Sequence, residues 1–467
     1  MNPPYPLQLP EALIGRDASK AEMLDAFRET CRGNAGMLVV PGHSGMGKTS
    51  LVEWLAEPVR NRNGLFVQGK FDQYHQNLPY YAVRKALERL WDQIATFNRV
   101  TREKIHDDIR DALGGLGHLL VELIPDIRGI FPESGGAIDA GIGFAEARHR
   151  FAFVIRNFLK AVSLPEHPVV LFLDDWQWAD AASLELIKGI HTDTCLKYFL
   201  LVASYRDEEV GPHHPLHTLL SELNREAKPP VVVWVGPLAR LDIEAYVESA
   251  LDAPVAEKKR FIDLIYSQTR GNPFHIRAFL SFLHETEKLA FDSSKKLWRW
   301  DAGTDLPIDI VDLFVRRLKR FGPESRDLIS LAACLGNQFD GASLQAIGGC
   351  TPDTCRDLIG NFIDAGLVVK VGSGAASDDT AYRFFHDRVQ QAAFQLIAPA
   401  KLPVLRLKIG RLLLAGLDRK AVDNSLFEIL DHLNAGAGLI QDRAEQMEMV
   451  RLNMAASAKA RAATAYQ

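Results

Sequence analysis

The first half of the chain alternates between short apolar runs and longer amphipathic stretches. The apolar runs predict five β-strands, at residues 37–40, 65–68, 169–173, 198–203 and 231–235. Strands that are apolar throughout are buried on both faces, so the pattern indicates an α/β fold with a mostly parallel sheet and helices on each side. Between the second and third runs, residues 79–123 predict a helical insertion. A Gly- and Pro-rich loop (131–143) and a helix to residue 162 follow it.

After residue 238 the pattern becomes helical. Residues 307–397 combine short helices with two strand-like pieces, 367–371 and 382–385, around the polar turn GSGAASDDT. This order predicts a winged-helix domain. From residue 401 the Ala- and Leu-rich sequence predicts the start of a helical array that the chain truncates, because stacked repeats need neighbours to bury their faces.

Composition narrows the class of protein. The chain has 467 residues, a net charge of −5 and five cysteines without a CxxC pair. These values are ordinary for a soluble protein of about three domains, and they give no reason to expect a nucleic-acid or anionic-membrane partner. We find no secretory signal and no run near the roughly 18 apolar residues that a membrane span needs, so a reducing cytoplasm is expected.

The segment GHSGMGKTS at residues 42–50 fits the pattern GxxxxGK[ST] between a predicted strand and a helix. Glycines let the backbone N–H groups of such a loop wrap phosphates, and the helix N-terminus adds partial positive charge. Lys48 is expected to reach the β- and γ-phosphates, and the Thr49 hydroxyl to hold Mg²⁺. The segment therefore predicts binding of ATP or ADP with Mg²⁺. The expected contacts are Gly42, Ser44, Gly45, Met46, Gly47, Lys48, Thr49 and Ser50.

Two acidic residues follow the third predicted strand. Asp174 is expected to complete the Mg²⁺ sphere, because ligands of α/β sheets bind at the carboxyl ends of strands. Asp175 is predicted to orient the attacking water, whereas Asp180 is better explained as a helix N-cap. Arg206 ends the fourth predicted strand. If this strand lies beside the third strand, which ends at Asp174, Arg206 is predicted to sense the γ-phosphate, with pairing to Asp207 or Glu208 as the alternative.

Several segments together resemble the STAND class of AAA+-related signalling ATPases, especially the ATPase module of large bacterial multidomain sensor kinases. Besides the phosphate loop, they are IGRD (14–17), GKFDQ (69–73), LFLDDWQWAD (171–180), SYRDEEV (204–210), GNPF (271–274), LGNQFD (335–340) and FHDRVQQAAF (385–394). The resemblance covers residues 11–467. It implies a leader (1–12), a P-loop NTPase domain (13–237), a helical lid (238–305), a winged helix (306–400) and a helical, tetratricopeptide-like region (401–467).

The resemblance also implies roles for four further residues. Ile14 and Arg16 would border the adenine and the hinge, and Pro273 would pack on adenine. His386 would touch the β-phosphate of ADP, so that the winged helix acts as a lid. From the residues alone two simpler explanations stay open: Pro273 starts a helix, and Asp387 caps the next one.

The resemblance implies a regulatory switch that hydrolyses ATP slowly. Its effector domain or partner protein has no counterpart in this chain, and an ATP-dependent homo-oligomer is an open expectation. One alternative is a DNA-binding regulator, but the expected recognition helix, residues 352–364, carries three aspartates against Arg356 alone, and phosphate contacts need Lys and Arg. The other is an AAA+ motor, for which we identify neither an arginine finger nor a pore loop.

Overall fold

The computed structural model describes residues 7–10, 12–71, 80–131, 144–301, 310–371, 381–416 and 426–462. These residues form two compact units, one built mainly from residues 11–237 and the other mainly from residues 238–458. The predicted turn at 372–380, nearly all of the predicted loop at 131–143 and the last two residues of GKFDQ lie outside the described residues. Within the described ranges, no helix combines the length and apolarity needed to cross a membrane.

A parallel five-stranded sheet forms the centre of the first unit. Its strands are β1 (Gly36–Pro41), β2 (Leu65–Lys70), β3 (Val169–Asp174), β4 (Phe199–Tyr205) and β5 (Val231–Val232). They lie in the order β2-β3-β4-β1-β5, and every pairing is parallel. The predicted fold class is therefore confirmed. The fifth strand is shorter than predicted, although backbone hydrogen bonds from Val233 to Val39 and from Val235 to Pro41 continue the pairing.

Helices cover both faces of this sheet. They are α1 (Asp17–Cys31), α2 (Lys48–Trp54), α3 (Ala56–Arg60), α4 (Tyr81–Ala95), α5 (Arg99–Leu113), α6 (Gly117–Leu123), α7 (Phe144–Val162), α8 (Ala181–His191) and α9 (Pro215–Leu223). In β1, Met37 and Val39 join the apolar cluster on one face, whereas Leu38 and Val40 join the cluster on the other. Burial on both faces explains why the strands are apolar throughout.

The register of the strands places the functional residues at one edge. Lys70 lies opposite Asp174 at the ends of β2 and β3, and Pro41 lies opposite Tyr205 at the ends of β1 and β4. Because the strands are parallel, the segments that follow these four ends leave the sheet side by side.

The second unit is mainly helical. Its helices are α10 (Arg240–Leu251), α11 (Lys258–Thr269), α12 (Pro273–Glu285), α13 (Ile310–Leu318), α14 (Pro323–Leu335), α15 (Gly341–Gly348), α16 (Pro352–Asp364), α17 (Asp387–Gln395), α18 (Leu402–Gly416), α19 (Leu426–Ala435) and α20 (Arg443–Ala462). Residue 8 belongs with this unit, since the Gln8 N–H donates to the Ala250 carbonyl at 3.0 Å.

Two small antiparallel sheets complete the second unit. The hairpin of β6 (Leu289–Asp292) and β7 (Leu297–Trp300) has no counterpart in the sequence prediction. A second sheet has the order β8 (Gln338–Asp340), β10 (Ala381–Phe384), β9 (Val368–Val371). Strands β9 and β10 lie near the two predicted strand-like pieces, and α15 and α16 lie between β8 and β9 in sequence. The winged-helix assignment and the finer domain boundaries stay predictions.

Candidate nucleotide site

The predicted phosphate loop connects the end of β1 to the start of α2. Gly47 precedes the helix with φ 85°, a left-handed conformation that glycine adopts without steric cost. Gly42 lies so close to the backbone carbonyl of Val235 that any Cβ there would overlap it. Two of the motif glycines are therefore required by the backbone itself.

Lys48 lies across the loop that precedes it. Its buried ammonium donates hydrogen bonds to the carbonyl oxygens of Gly42, at 2.5 Å, and His43, at 2.9 Å. Burial lowers the pKa of Lys48, while the nearby Asp175 and Asp174 oppose that effect. The amine is thus a cation held by the loop itself, at the centre of the predicted site.

The hydroxyl of Thr49 and the carboxylate of Asp174 meet directly. The Thr49 Oγ1 donates to the Asp174 Oδ2 at 2.9 Å, and the Ser204 hydroxyl donates to the other carboxylate oxygen. Burial raises the pKa of Asp174, as does the neighbouring Asp175, whereas Lys70 lowers it. A hydroxyl beside a carboxylate supplies the oxygen ligands that Mg²⁺ prefers, so these residues fit the ion.

Asp175 is held by cations from both sides. Its backbone is left-handed, with φ 57°. Its carboxylate oxygens lie 2.8 Å from the Lys70 Nζ, at the end of β2, and 3.4 Å from the Nε of Arg206, which follows β4. The Gln177 amide donates to it at 2.9 Å. Strands β2 and β4 are the neighbours of β3, so the strand order supplies both cations.

Arg206 sits where the sequence prediction required, because β4 is adjacent to β3. Its guanidinium is 12% exposed, pairs with Glu209 at 3.0 Å and lies 4.8 Å from the centre of the Trp178 ring. The backbone N–H of Arg206 donates to the Gln177 side chain. The contacts to Asp175 and Glu209 orient the guanidinium beside the acidic pair.

The residues before α1 also reach the loop. The guanidinium of Arg16 is buried and donates to the Met46 carbonyl at 3.0 Å, while Ile14 is half-buried. The structure therefore brings Arg16 to the phosphate loop, and its predicted place at the adenine and the hinge stays a prediction.

A contact that the sequence did not predict joins the turn after β4 to the loop. The Ser44 N–H donates to the Glu208 Oε1, and the His43 Nδ1 lies 2.8 Å from the other oxygen of Glu208. Asp207 lies 3.3 Å from the same ring nitrogen. Glu208 and Asp207 stand in the segment SYRDEEV, whose acidic residues gave no signal of this contact.

Asp180 plays the structural role predicted for it. Its carboxylate accepts the Ser183 N–H at the start of α8, and it also accepts the Tyr80 N–H at 3.3 Å. Burial raises the pKa of this carboxyl.

Pro273 and His386 belong to the second unit, where they lie on two elements that touch. Pro273 is the first residue of α12, with Asn272 as its N-cap. The ring of the next residue, Phe274, stacks on the His386 ring at 3.7 Å between centroids and an interplanar angle of 16°. The segments GNPF and FHDR are therefore in direct contact, which the sequence did not predict.

His386 itself caps α17. Its Nδ1 accepts the Arg388 N–H at 3.1 Å, so the ring carries its proton on Nε2 when neutral. The sequence left Asp387 open as the cap of a helix from Arg388. That alternative is wrong, because α17 begins at Asp387 and its N-cap is His386.

Comparisons with known proteins find an ATPase domain in the first unit. Residues 12–202 match the family model of the AAA ATPase domain. The whole chain is 24% identical to hybrid signal transduction histidine kinase G of Dictyostelium discoideum, and 88% of it is 20% identical to the peroxide stress-activated histidine kinase mak3 of Schizosaccharomyces pombe. The chain spans only 16% and 19% of the lengths of these relatives.

The fold has a counterpart among solved structures. A STAND protein with a tetratricopeptide repeat sensor from Pyrococcus horikoshii superposes with a TM-score of 0.51 at 14% identity, over 96% of this chain and 52% of that one. The resemblance inferred from the sequence motifs is thus confirmed. Residues 12–202 thus match the AAA ATPase domain, and the fold of the chain is similar to that of a STAND protein.

Proposed function

We propose that this ATPase module is a signalling switch that binds ATP or ADP with Mg²⁺ and hydrolyses ATP slowly. The observation that carries the proposal is the 2.9 Å hydrogen bond between Thr49 and Asp174. It joins the phosphate loop to the acidic end of β3, so that Thr49 and Asp174 would hold a Mg²⁺ ion, which would neutralise negative charge on the phosphates.

The acidic pair divides the work of hydrolysis. Asp174 would hold the Mg²⁺ ion through its carboxylate, and Asp175 would orient the attacking water. The ion pairs of Asp175 with Lys70 and Arg206 fix its position, and Arg206 reports the γ-phosphate.

The second unit supplies the lid of the proposed switch. Pro273 packs on adenine, and the Nε2–H of His386 donates a hydrogen bond to the β-phosphate of ADP. The stack on Phe274 and the N-cap bond support this role, because together they fix the ring and its tautomer.

The setting of the switch follows from its relatives. Both relatives described above are named as histidine kinases, and the chain spans less than a fifth of each. The module therefore regulates an effector domain or partner protein. Its active form is an ATP-dependent homo-oligomer, and it acts in the cytoplasm. A DNA-binding role has less support, since the one basic residue predicted on α16, Arg356, pairs with Asp353 at 3.0 Å.

The test is calorimetric titration with ADP and ATP, in Mg²⁺ and in EDTA, beside single-turnover hydrolysis. We expect Mg²⁺ to tighten binding of the wild type, Thr49→Val to abolish that gain, and turnover to fall well below about 1 per second, the low end of ordinary enzymes. Thr192→Val is the matched control, because its hydroxyl contacts only the Lys188 carbonyl at a helix end. An unchanged Mg²⁺ gain in Thr49→Val refutes the assignment. Turnover within seconds indicates a motor.

A further inference from the structure

The turn after β4 reaches the phosphate loop through one side chain. Glu208 accepts the Ser44 N–H through Oε1, at 2.8 Å, and the His43 Nδ1–H through Oε2, also at 2.8 Å. Both carboxylate oxygens are thus committed to the first half of the loop, between Gly42 and Gly45. Ser44 is among the residues whose N–H groups are predicted to wrap the phosphates.

Glu208 carries its charge at this position. Burial alone would raise its pKa, but the hydrogen bonds from the Ser44 N–H and the His43 ring lower it to about 2. Lys48 also feels this charge, which opposes the lowering of the lysine pKa by burial. A full negative charge therefore stands beside the loop at neutral pH.

Chelation of a metal explains the cluster less well. The ligand atoms of His43, Asp207 and Glu208 lie within 4.8 Å of one another. Both oxygens of Glu208 already accept from protein donors, however, so the arrangement is satisfied without an ion.

We infer that Glu208 is a specificity residue of the proposed nucleotide site: it competes with the terminal phosphate of ATP for the Ser44 N–H and thereby weakens ATP binding relative to ADP. The inference rests on the proposed function. Lys48 is expected to reach the β- and γ-phosphates and the start of α2 to take the inner phosphates, whereas Ser44 lies four residues before Lys48 in the loop. Arg206, the predicted γ-phosphate sensor, lies two residues before Glu208 in the same turn. The terminal phosphate of ATP would meet the Glu208 carboxylate at the Ser44 end of the loop. ADP has no phosphate that reaches this position.

The experiment compares the affinity of the full chain for ADP and for a non-hydrolysable ATP analogue, by calorimetry with Mg²⁺. In Glu208→Gln the charge is lost while the size is kept. We expect the ratio of the ATP-analogue Kd to the ADP Kd to fall about tenfold, the effect of one hydrogen bond to a charged group. Glu208→Ala removes the acceptor as well and should lower the ratio at least as far. The ADP affinity should change less than about twofold in both, well within one such bond.

Glu222→Gln is the matched control. It makes the same change of charge in the same unit, at a residue that pairs with Lys188 instead of the loop. Its affinity ratio should equal that of the wild type. Thermal melting checks that each variant is folded.

Two results for Glu208→Gln overturn the inference while leaving the proposed function standing. One is an unchanged ratio in folded Glu208→Gln, and the other is a ratio that rises because Glu208 supports ATP. A wild type that binds neither nucleotide overturns the proposed function together with the inference. A ratio that falls equally in Glu222→Gln assigns the effect to overall charge and also contradicts the inference.

Discussion

Buried charge distinguishes the two units of the molecule. Among the described residues of 11–237 four charged side chains are buried, and each was predicted as a site residue: Arg16, Lys48, Asp174 and Asp175. Among the described residues of 238–458, the buried polar side chains are Thr, Ser, Asn, Gln and one His. Taking a charge out of water costs several kcal/mol unless it is paired. Among the described residues, charged side chains are therefore buried where a charged ligand is expected.

The second unit presents its predicted ligand contacts differently. His386 is held by an aromatic stack and a helix cap. Truncating a buried charge partner leaves another charge uncompensated, whereas truncating a stacked ring loses mainly dispersion and area. Substitutions of the buried charges in the first unit should therefore impair nucleotide binding or hydrolysis more than substitutions around His386 do.

The largest effect is expected from Lys48→Ala. It removes the buried cation at the phosphates, and nucleotide affinity should fall at least 100-fold, about the loss of a charged hydrogen bond of 3 kcal/mol. Calorimetry with ADP measures it. Lys85→Ala, in which only the pair with Glu88 on α4 is lost, is the control and should bind normally. Equal nucleotide affinity in Lys48→Ala and Lys85→Ala would contradict the expectation that substitutions of buried charges in the first unit have the larger effects.

Asp175→Asn should separate hydrolysis from binding. The amide keeps the shape but not the charge that orients water, so single-turnover hydrolysis should fall on the order of 100-fold while ATP stays bound. Asp180→Asn makes the same change at a helix cap that asparagine also serves, and its rate should not change. If Asp175→Asn hydrolyses ATP at the wild-type rate, Asp175 only positions Lys70 and Arg206.

In the second unit, His386→Ala should release a fluorescent ADP analogue about tenfold faster, the loss of a hydrogen bond to phosphate of at least 1.5 kcal/mol. Phe274→Leu keeps the imidazole but removes the ring beneath it. Its smaller effect, a few-fold, reflects a stacking energy of about 0.5–1.5 kcal/mol. His284→Ala, in the same unit and beside Trp298, is the control. Stopped-flow release rates equal to wild type in folded His386→Ala would make the residue a helix cap and no more.

The last effect concerns stability instead of nucleotide binding, and it involves His432, a buried imidazole on α19. Burial and the nearby Arg406 lower its pKa to about 4, while Asp431 opposes them. The unfolded chain then binds the proton first, so stability is complete above about pH 6.5 and is lost as the pH falls toward 4, by at most about 1.4 kcal/mol per pH unit.

His432→Phe should remove that slope. Thermal melting between pH 4.5 and 7 measures it, as the difference between the melting temperatures of the variant and the wild type. A difference that does not grow as the pH falls contradicts the neutral state assigned to this ring.

The sequence predicted what depends on contiguous residues. The loop at 42–50, the acidic end of β3 and the parallel sheet follow from local spacing and from apolar runs. The same holds for Asp180, because an N-cap is a contact within one turn. Even the adjacency of Arg206 to the acidic pair was stated as a condition, and the strand order met it.

Contacts that depend on strand order could not be predicted in this way. Lys70 stands opposite Asp174 only because β2 pairs with β3 in one register, and Glu208 meets Ser44 only because β4 lies beside β1. Apolar periodicity says which residues are buried but not which strands are neighbours. The stack of Phe274 on His386 joins residues 112 positions apart, and no spacing rule connects them. The hairpin of β6 and β7 was not predicted from the sequence.

The left-handed backbone at Asp175 limits how this position can vary during evolution. At φ 57°, Gly, Asn and Asp are the residues that fit with little strain, and a longer carboxylate such as Glu pays a steric cost. The substitution that preserves acidity therefore strains the chain, whereas Asn, which discards acidity, fits the backbone. A single-codon change from Asp175 to Asn would therefore remove hydrolysis while the protein still folds and binds nucleotide.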